Sequence, residues 1–350
     1  MHTSLTRLVS LAVVASSFGT AAAQVTYLSQ LREVRVSASA DYSDFQNVAS
    51  ESDSVIAPDF GPFDEFITVT AASDVASGTA RARQDSMLLG DRITVSGYAD
   101  GSTSGGSTTA GFYSFSNGRT DFRTEIQTAE DLRFHVTGTL DPTNSGRASV
   151  DILDSSQALV YSRSASGGAN YVLNDLGFLP AGTYTVLMSA RGSGFSGSTY
   201  GSSGSLDIDI AFEEVVQRHC VAQVNSSGMA ASIDVTGSTS VSANDFGLIA
   251  TGAPAQTFGL FFYGADRAMS PFGDGSLCVG GTIQRLVSPV LIDTTGTASL
   301  ALDLSSPAIA SGPNPIEDGS LFSLQFWFRD NAAGGAGFNT SDAIEAYFTQ

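Results

Sequence analysis

Leu132-Arg133-Phe134-His135-Val136-Thr137 alternates apolar and polar residues without a break. Successive side chains of an extended strand point to opposite faces, so Leu132, Phe134 and Val136 share one face and Arg133, His135 and Thr137 the other. The stretch is predicted to be a half-buried β-strand with a solvated polar face. The same period recurs in both directions, at residues 34–36, 66–69, 92–95, 122–126, 183–188, 206–212, 233–235, 258–263, 298–304 and 321–328. Turn signals fall between these runs: Asp100-Gly101, Asn117-Gly118, Asp141-Pro142, Pro180-Ala181-Gly182, Asp274-Gly275 and Asp318-Gly319. No apolar stripe at helical spacing extends over a dozen residues with a cap and a stop, which argues against βαβ units and their nucleotide crevices. The predicted class is all-β, as two antiparallel β-sandwiches of jelly-roll-like character.

The chain has 350 residues, of which 42% are apolar and 15% charged, enough to bury a sizeable core. All 16 basic residues are arginine; against 35 acids they leave a formal charge of −19, which repels phosphate backbones and anionic lipid surfaces. Nucleic acid is therefore not an expected partner. Residues 1–23 carry one arginine, a short apolar stretch and a small-residue end at Gly19-Thr20-Ala21-Ala22-Ala23. They read as a secretory signal cleaved before Gln24, which makes the mature protein secreted, extracellular or periplasmic, with no membrane span. Residues 24–215 are expected to form a Ser/Ala/Gly-rich acidic domain of net charge −13, and residues 216–350 a second domain of net charge −7. The second segment holds both cysteines, Cys220 and Cys278. In an oxidising compartment they are expected to pair, the alternative being two unpaired buried thiols. The Gly/Ser-rich stretches read either as linker or as thinly packed strands, and residues 192–205 as a hairpin tip.

Few groups suit proton transfer. After processing, the histidines are His135, on a polar strand face, and His219, beside Cys220 but pointing to the opposite side of an extended chain. A Cys–His nucleophile is disfavoured because the cysteine has a structural use. Gly194-Phe195-Ser196-Gly197-Ser198 lacks the last glycine of a nucleophile elbow, and His-Glu-x-x-His, P-loop and paired Cys-x-x-Cys motifs are absent. Carboxylates cluster at turns: Asp41 with Asp44, Asp59 with Asp64 and Glu65, Asp151 with Asp154. These read first as turn-forming or solubilising residues. As functional readings, Asp41, Asp44, Asp59 and Asp64 could hold calcium, and a facing pair of acids could serve a hydrolase.

Phe258-Gly259-Leu260-Phe261-Phe262-Tyr263-Gly264, then residues 271–281 from Pro271-Phe272-Gly273 to Cys278-Val279-Gly280-Gly281, then Phe326-Trp327-Phe328-Arg329-Asp330 with Gly337-Phe338-Asn339-Thr340-Ser341-Asp342 follow one another in order. On these motifs, residues 220–350 resemble an uncharacterised C-terminal β-sandwich domain that recurs in secreted proteins of environmental bacteria. The resemblance implies a fold and no activity. Residues 132–191, through Leu179-Pro180-Ala181-Gly182-Thr183-Tyr184-Thr185-Val186, are similar to bacterial pre-peptidase C-terminal and carbohydrate-binding sandwiches.

Trp327 is the only tryptophan. In residues 322–329 the even positions form an apolar face, and Trp327 shares the other with Ser323, Gln325 and Arg329. The leading expectation is that residues 334–338 fold over the indole and bury it. The alternative makes Trp327, Arg329 and Tyr347 a sugar-stacking platform, Tyr347 flanking Trp327 from a neighbouring strand. The sequence thus predicts a non-catalytic structural or surface-interaction protein, with an extracellular glycan or cell-surface component as the partner. A carbohydrate-active hydrolase using paired carboxylates and a calcium-stabilised envelope scaffold are the competing classes.

Overall fold

The structure is a computed structural model that describes residues 25–40, 49–74, 76–105, 114–195 and 201–350. The signal segment and two of the calcium candidates, Asp41 and Asp44, lie outside the described residues. The chain is nearly all β, and no helix is long and apolar enough to cross a membrane among the described residues.

The first sandwich comprises β1 (Val25–Ala40), β2 (Ala49–Ile56), β3 (Phe63–Ala72), β4 (Ala76–Leu89), β5 (Arg92–Gly105), β6 (Ser114–Thr128), β7 (Leu132–Leu140), β8 (Arg147–Asp154), β9 (Leu159–Ser166), β10 (Tyr171–Leu179), β11 (Gly182–Phe195) and β12 (Ser202–Glu214). One six-stranded sheet runs β2-β1-β6-β11-β8-β9 and the other β10-β7-β12-β5-β4-β3. The pairings are antiparallel, as hairpin-connected chains with period-two patterning require. In β6 every second residue is buried from end to end, so one fifteen-residue strand lines the whole interior.

That interior tapers. Around Phe122, Ile126, Phe134, Val136, Ile152 and Ile210 it is filled by large side chains. Toward the Ala40 end of β1 alanines enter the filling, Ala80, Ala82 and Ala99 beside Val34, Val36, Phe63 and Ile67, and at the end itself it shrinks to Ala38, Ala40 and Ala71. Here the sheets approach so closely that a Cβ on Gly118 would lie 2.2 Å from the Arg81 carbonyl oxygen, and one on Gly101 would lie 2.7 Å from that of Ser116. The expected turns at Asn117-Gly118 and Asp100-Gly101 are therefore corrected: both dipeptides lie within strands, β6 and β5. Their glycines are required by backbone contact across the sandwich, not by a turn.

The second sandwich comprises β13 (Val216–His219), β14 (Ser232–Thr236), β15 (Gly247–Thr251), β16 (Phe258–Gly264), β17 (Asp266–Phe272), β18 (Gly275–Gly280), β19 (Gln284–Leu291), β20 (Ala298–Ala301), β21 (Leu321–Arg329) and β22 (Phe338–Tyr347). A five-stranded sheet, β13-β22-β21-β16-β19, packs on a three-stranded one, β14-β15-β20. Phe261 meets Phe326 with ring centroids 4.5 Å apart, Tyr263 meets Phe322 at 5.1 Å and Phe246 meets Phe348 at 4.9 Å. The hairpin β17–β18 lies on the outer face of the larger sheet. Cys278 on it sits at disulfide-bonding distance from Cys220, with Cα atoms 6.2 Å apart.

The chain leaves the first pair of sheets at Glu214 and enters the five-stranded sheet at Val216. At this junction Arg133 of β7 donates to Glu345 of β22 at 3.0 Å and also pairs with Glu213, while Arg267 donates to both oxygens of Glu345 at 3.0 and 2.6 Å. Arg133 is thus not on a solvated face as the alternation alone suggests. Its side chain is only 6% exposed because β22 of the second sandwich covers it. Burial by itself would push the Glu345 carboxyl up, but Arg267 and Arg133 outweigh it and hold the carboxyl below the ordinary glutamate range.

Candidate functional site: an aromatic groove on the five-stranded sheet

The hairpin β17–β18 covers only part of the sheet beneath it. Where it does, buried polar side chains face it: Gln325 Nε2 donates to the Ser276 and Ser341 carbonyls at 2.8 Å each, and its Oε1 accepts from the Cys278 N–H at 3.0 Å. One pleat further along β21 the cover ends. There the outward residues of β16 are Phe258, Leu260 and Phe262, and Leu260 pairs with Trp327. Phe272 and Leu277 of the hairpin, Phe338 of β22, and Ile283 and Pro289 on the β19 side complete an open apolar groove of about 1050 Å³. Trp327 is half-buried on its floor, its ring 5.7 Å from Phe338, which is in turn 5.0 Å from Phe272.

The expected burial of Trp327 beneath residues 334–338 is realised only through Phe338; Gly334, Gly335 and Ala336 are exposed. Arg329 lies in the groove with Trp327, and Arg285 joins them from β19. Tyr347 does not. It pairs with Leu321, whereas Trp327 pairs with Thr340, so the tyrosine sits at the other end of the strands. Its ring is buried at the domain junction, and that burial, with Asp318 nearby, raises its phenol pKa. The sequence had placed Tyr347 by face alone; register along β22 separates it from Trp327.

Charge is distributed unevenly in this domain. Arg218 pairs with Asp234 and Asp342, and Arg267 with Glu345, but Arg285 and Arg329 form no salt bridge among the described residues. Both unpaired cations line the groove, and no carboxylate does among the described residues. Sequence reasoning missed Arg285, Phe258, Phe272 and Phe338. The available signal was Phe258-Gly259-Leu260-Phe261-Phe262-Tyr263: grouped above with the alternating runs, it is in fact apolar on both faces where a sheet with one solvated face would alternate.

The remaining candidates are engaged elsewhere. Arg32, fully buried, donates to the carbonyls of Asp59 and Gly61 at 2.5 and 2.7 Å, so its guanidinium occupies the oxygens a cation would need from that loop. Asp59 Oδ1 accepts from the Gly61 N–H at 2.8 Å, and Asp64 pairs with Arg83 at 3.2 Å. No group of three or more His, Cys, Asp or Glu residues converges among the described residues. Asp154 caps its own turn by accepting from Ser156 and Ala158, which lowers its pKa, and Asp151 accepts from Ser162. His135 contacts Asn174 at 2.6 Å on an exposed face. His219 lies 2.7 Å from Ser323 Oγ, a pairing with the outline of a catalytic dyad. Ser323 is only 1% exposed and its hydroxyl also donates to the Cys278 carbonyl, which places the pair beneath the hairpin. Burial and then Arg267 push the His219 pKa down.

Comparison with models of protein families gives no match, and neither does comparison with curated proteins.

Proposed function

We propose that this is an exported, non-catalytic surface-interaction protein, and that the groove around Trp327 is where it takes its ligand. The observation that carries the reading is the floor itself. Exposed Phe258 and half-buried Leu260, Trp327 and Phe338 line an open groove beside the hairpin that covers the neighbouring outward residues Ser323 and Gln325. An exposed apolar patch of this kind on a soluble domain marks an interaction surface. Among the described residues the lining offers an aromatic platform and two guanidinium groups, but no histidine or carboxylate for acid–base work. Its aromatic floor suits stacking against a sugar, whereas hydrogen bonding to hydroxyls would fall to Arg285 and Arg329 alone.

Because Trp327 is the only tryptophan, indole emission excited apart from the tyrosines reports on this site and no other. Titration of the mature protein with a glycan panel and with amphipathic anions is expected to shift its emission saturably for at least one class. Trp327→Ala should weaken retention of that ligand at least about tenfold, the loss of one buried aromatic contact, with the melting temperature little changed. If no class perturbs the emission, or retention survives the substitution in folded protein, the groove is not the binding site.

A further inference from the structure

The register of the sheet places the two free arginines of the groove at opposite ends. Arg285 pairs with Phe262 on one flank of β16. Arg329 lies on the other flank, one residue beyond the Gly259–Phe328 pair and therefore beside Phe258. Phe258 and Phe262 are four residues apart, roughly 13 Å along the strand, and the flanking strands are two spacings apart, roughly 10 Å. The cations thus bracket the apolar floor diagonally, about 16 Å apart at the backbone, with Leu260 and Trp327 between them.

From this we infer that the groove docks an extended polypeptide segment of a partner protein that carries two acidic residues four positions apart with an apolar residue midway, Asp/Glu-x-Φ-x-Asp/Glu. The inference rests on the groove being the ligand site. In an extended chain, positions i, i+2 and i+4 project to one side over about 13 Å, so the middle residue meets Trp327 and the acids reach the two guanidinium groups. Charge complementarity favours an anionic occupant here in particular: the chain carries −19 overall, yet among the described residues these two cations have no carboxylate to neutralise them. An acyl chain fits less well on two counts. It brings a charge at one end only, and the groove is open, its rim residues Phe258 and Ile283 being 51% and 44% exposed, so one side of the hydrocarbon would stay wet. A peptide strand with one apolar and one polar face matches an open floor.

The test uses tryptophan-free decapeptides with the mature, oxidised protein, read by Trp327 emission and by anisotropy of a labelled peptide. A peptide with Glu at i and i+4 around a central Leu should bind, weakening severalfold as salt rises from 50 to 500 mM. Peptides with Lys at both acidic positions, or with the acids at i and i+2, should bind at least about tenfold more weakly. The double variant Arg285→Glu, Arg329→Glu should reverse the preference, rejecting the Glu peptide and accepting the Lys peptide; such a reversal cannot come from misfolding. Equal binding of the Glu, Lys and neutral peptides, or saturable binding of oleate with none of the peptides, would overturn the inference while leaving the groove a binding site. No response to any peptide, oleate or glycan overturns both readings.

Discussion

Replacing Cys220 and Cys278 together by alanine is expected to lower the unfolding free energy of the second sandwich by about 4 kcal/mol, the loop-closure value for a cross-link spanning 58 residues. A bridge between this pair would do more than shorten the unfolded chain. Cys278 lies on β18, and its hairpin supplies Phe272 and Leu277 to one wall of the groove. Beneath the hairpin Gln325 and Ser323 are buried and bonded to it, so loosening it would strand their polar atoms. Urea unfolding of the variant should therefore give a lower midpoint, and Trp327 emission should move to the red before global unfolding as the wall leaves. An unfolding free energy within about 0.5 kcal/mol of the parent's, with unchanged emission, would show that packing alone holds the hairpin.

Glu345→Gln is expected to cost about 3 kcal/mol, because it leaves Arg133 buried with its charge only partly answered by Glu213. Arg267→Gln should cost under about 1 kcal/mol, since that side chain is 44% exposed and its pairing is screened by solvent. As Glu345 ties β22 to β7, its loss should also split one thermal transition into two, the sandwiches melting separately. The pH dependence has a definite sign. The folded carboxyl titrates below its ordinary value of 4.5, so the unfolded chain takes up the proton first as pH falls. The stabilisation is complete above about pH 4.5 and drains away below it, through the lower folded value. The Glu345→Gln protein should lack this component, and its stability should fall less steeply below pH 4.5. A parallel acid limb in both proteins would remove Glu345 from the account.

The β character of the chain was legible because alternation is a local property: Leu132, Phe134 and Val136 are buried, and so are Phe322, Leu324, Phe326 and Phe328, as their spacing demands. What lies on the far side of a strand is not local. Arg133 and Gln325 alternate like solvated residues, yet each is covered by an element distant in sequence, β22 in one case and the hairpin β17–β18 in the other. The glycines misled for the same reason. Asn117-Gly118 is turn chemistry by composition, and only the facing strands β4 and β5 reveal that the missing side chain makes room for a neighbouring backbone. Trp327 and Arg329 were visible as an odd pair on a polar face; Arg285 was not, because nothing in residues 284–291 announces which strand will lie beside them.

The taper of the first sandwich gives that domain a soft tip. Apolar burial contributes roughly 25 cal/mol per Å², and methyl groups and bare backbone offer little area to withdraw from water. Near Ala40 little side-chain bulk lies between the two layers, while around Phe134 large side chains hold them together. Amide protons of residues 36–40 and 116–120 should thus trade for deuterium sooner than those of residues 132–136. The domain is expected to open first at its thin margin, as a wedge would, with its thick margin staying shut.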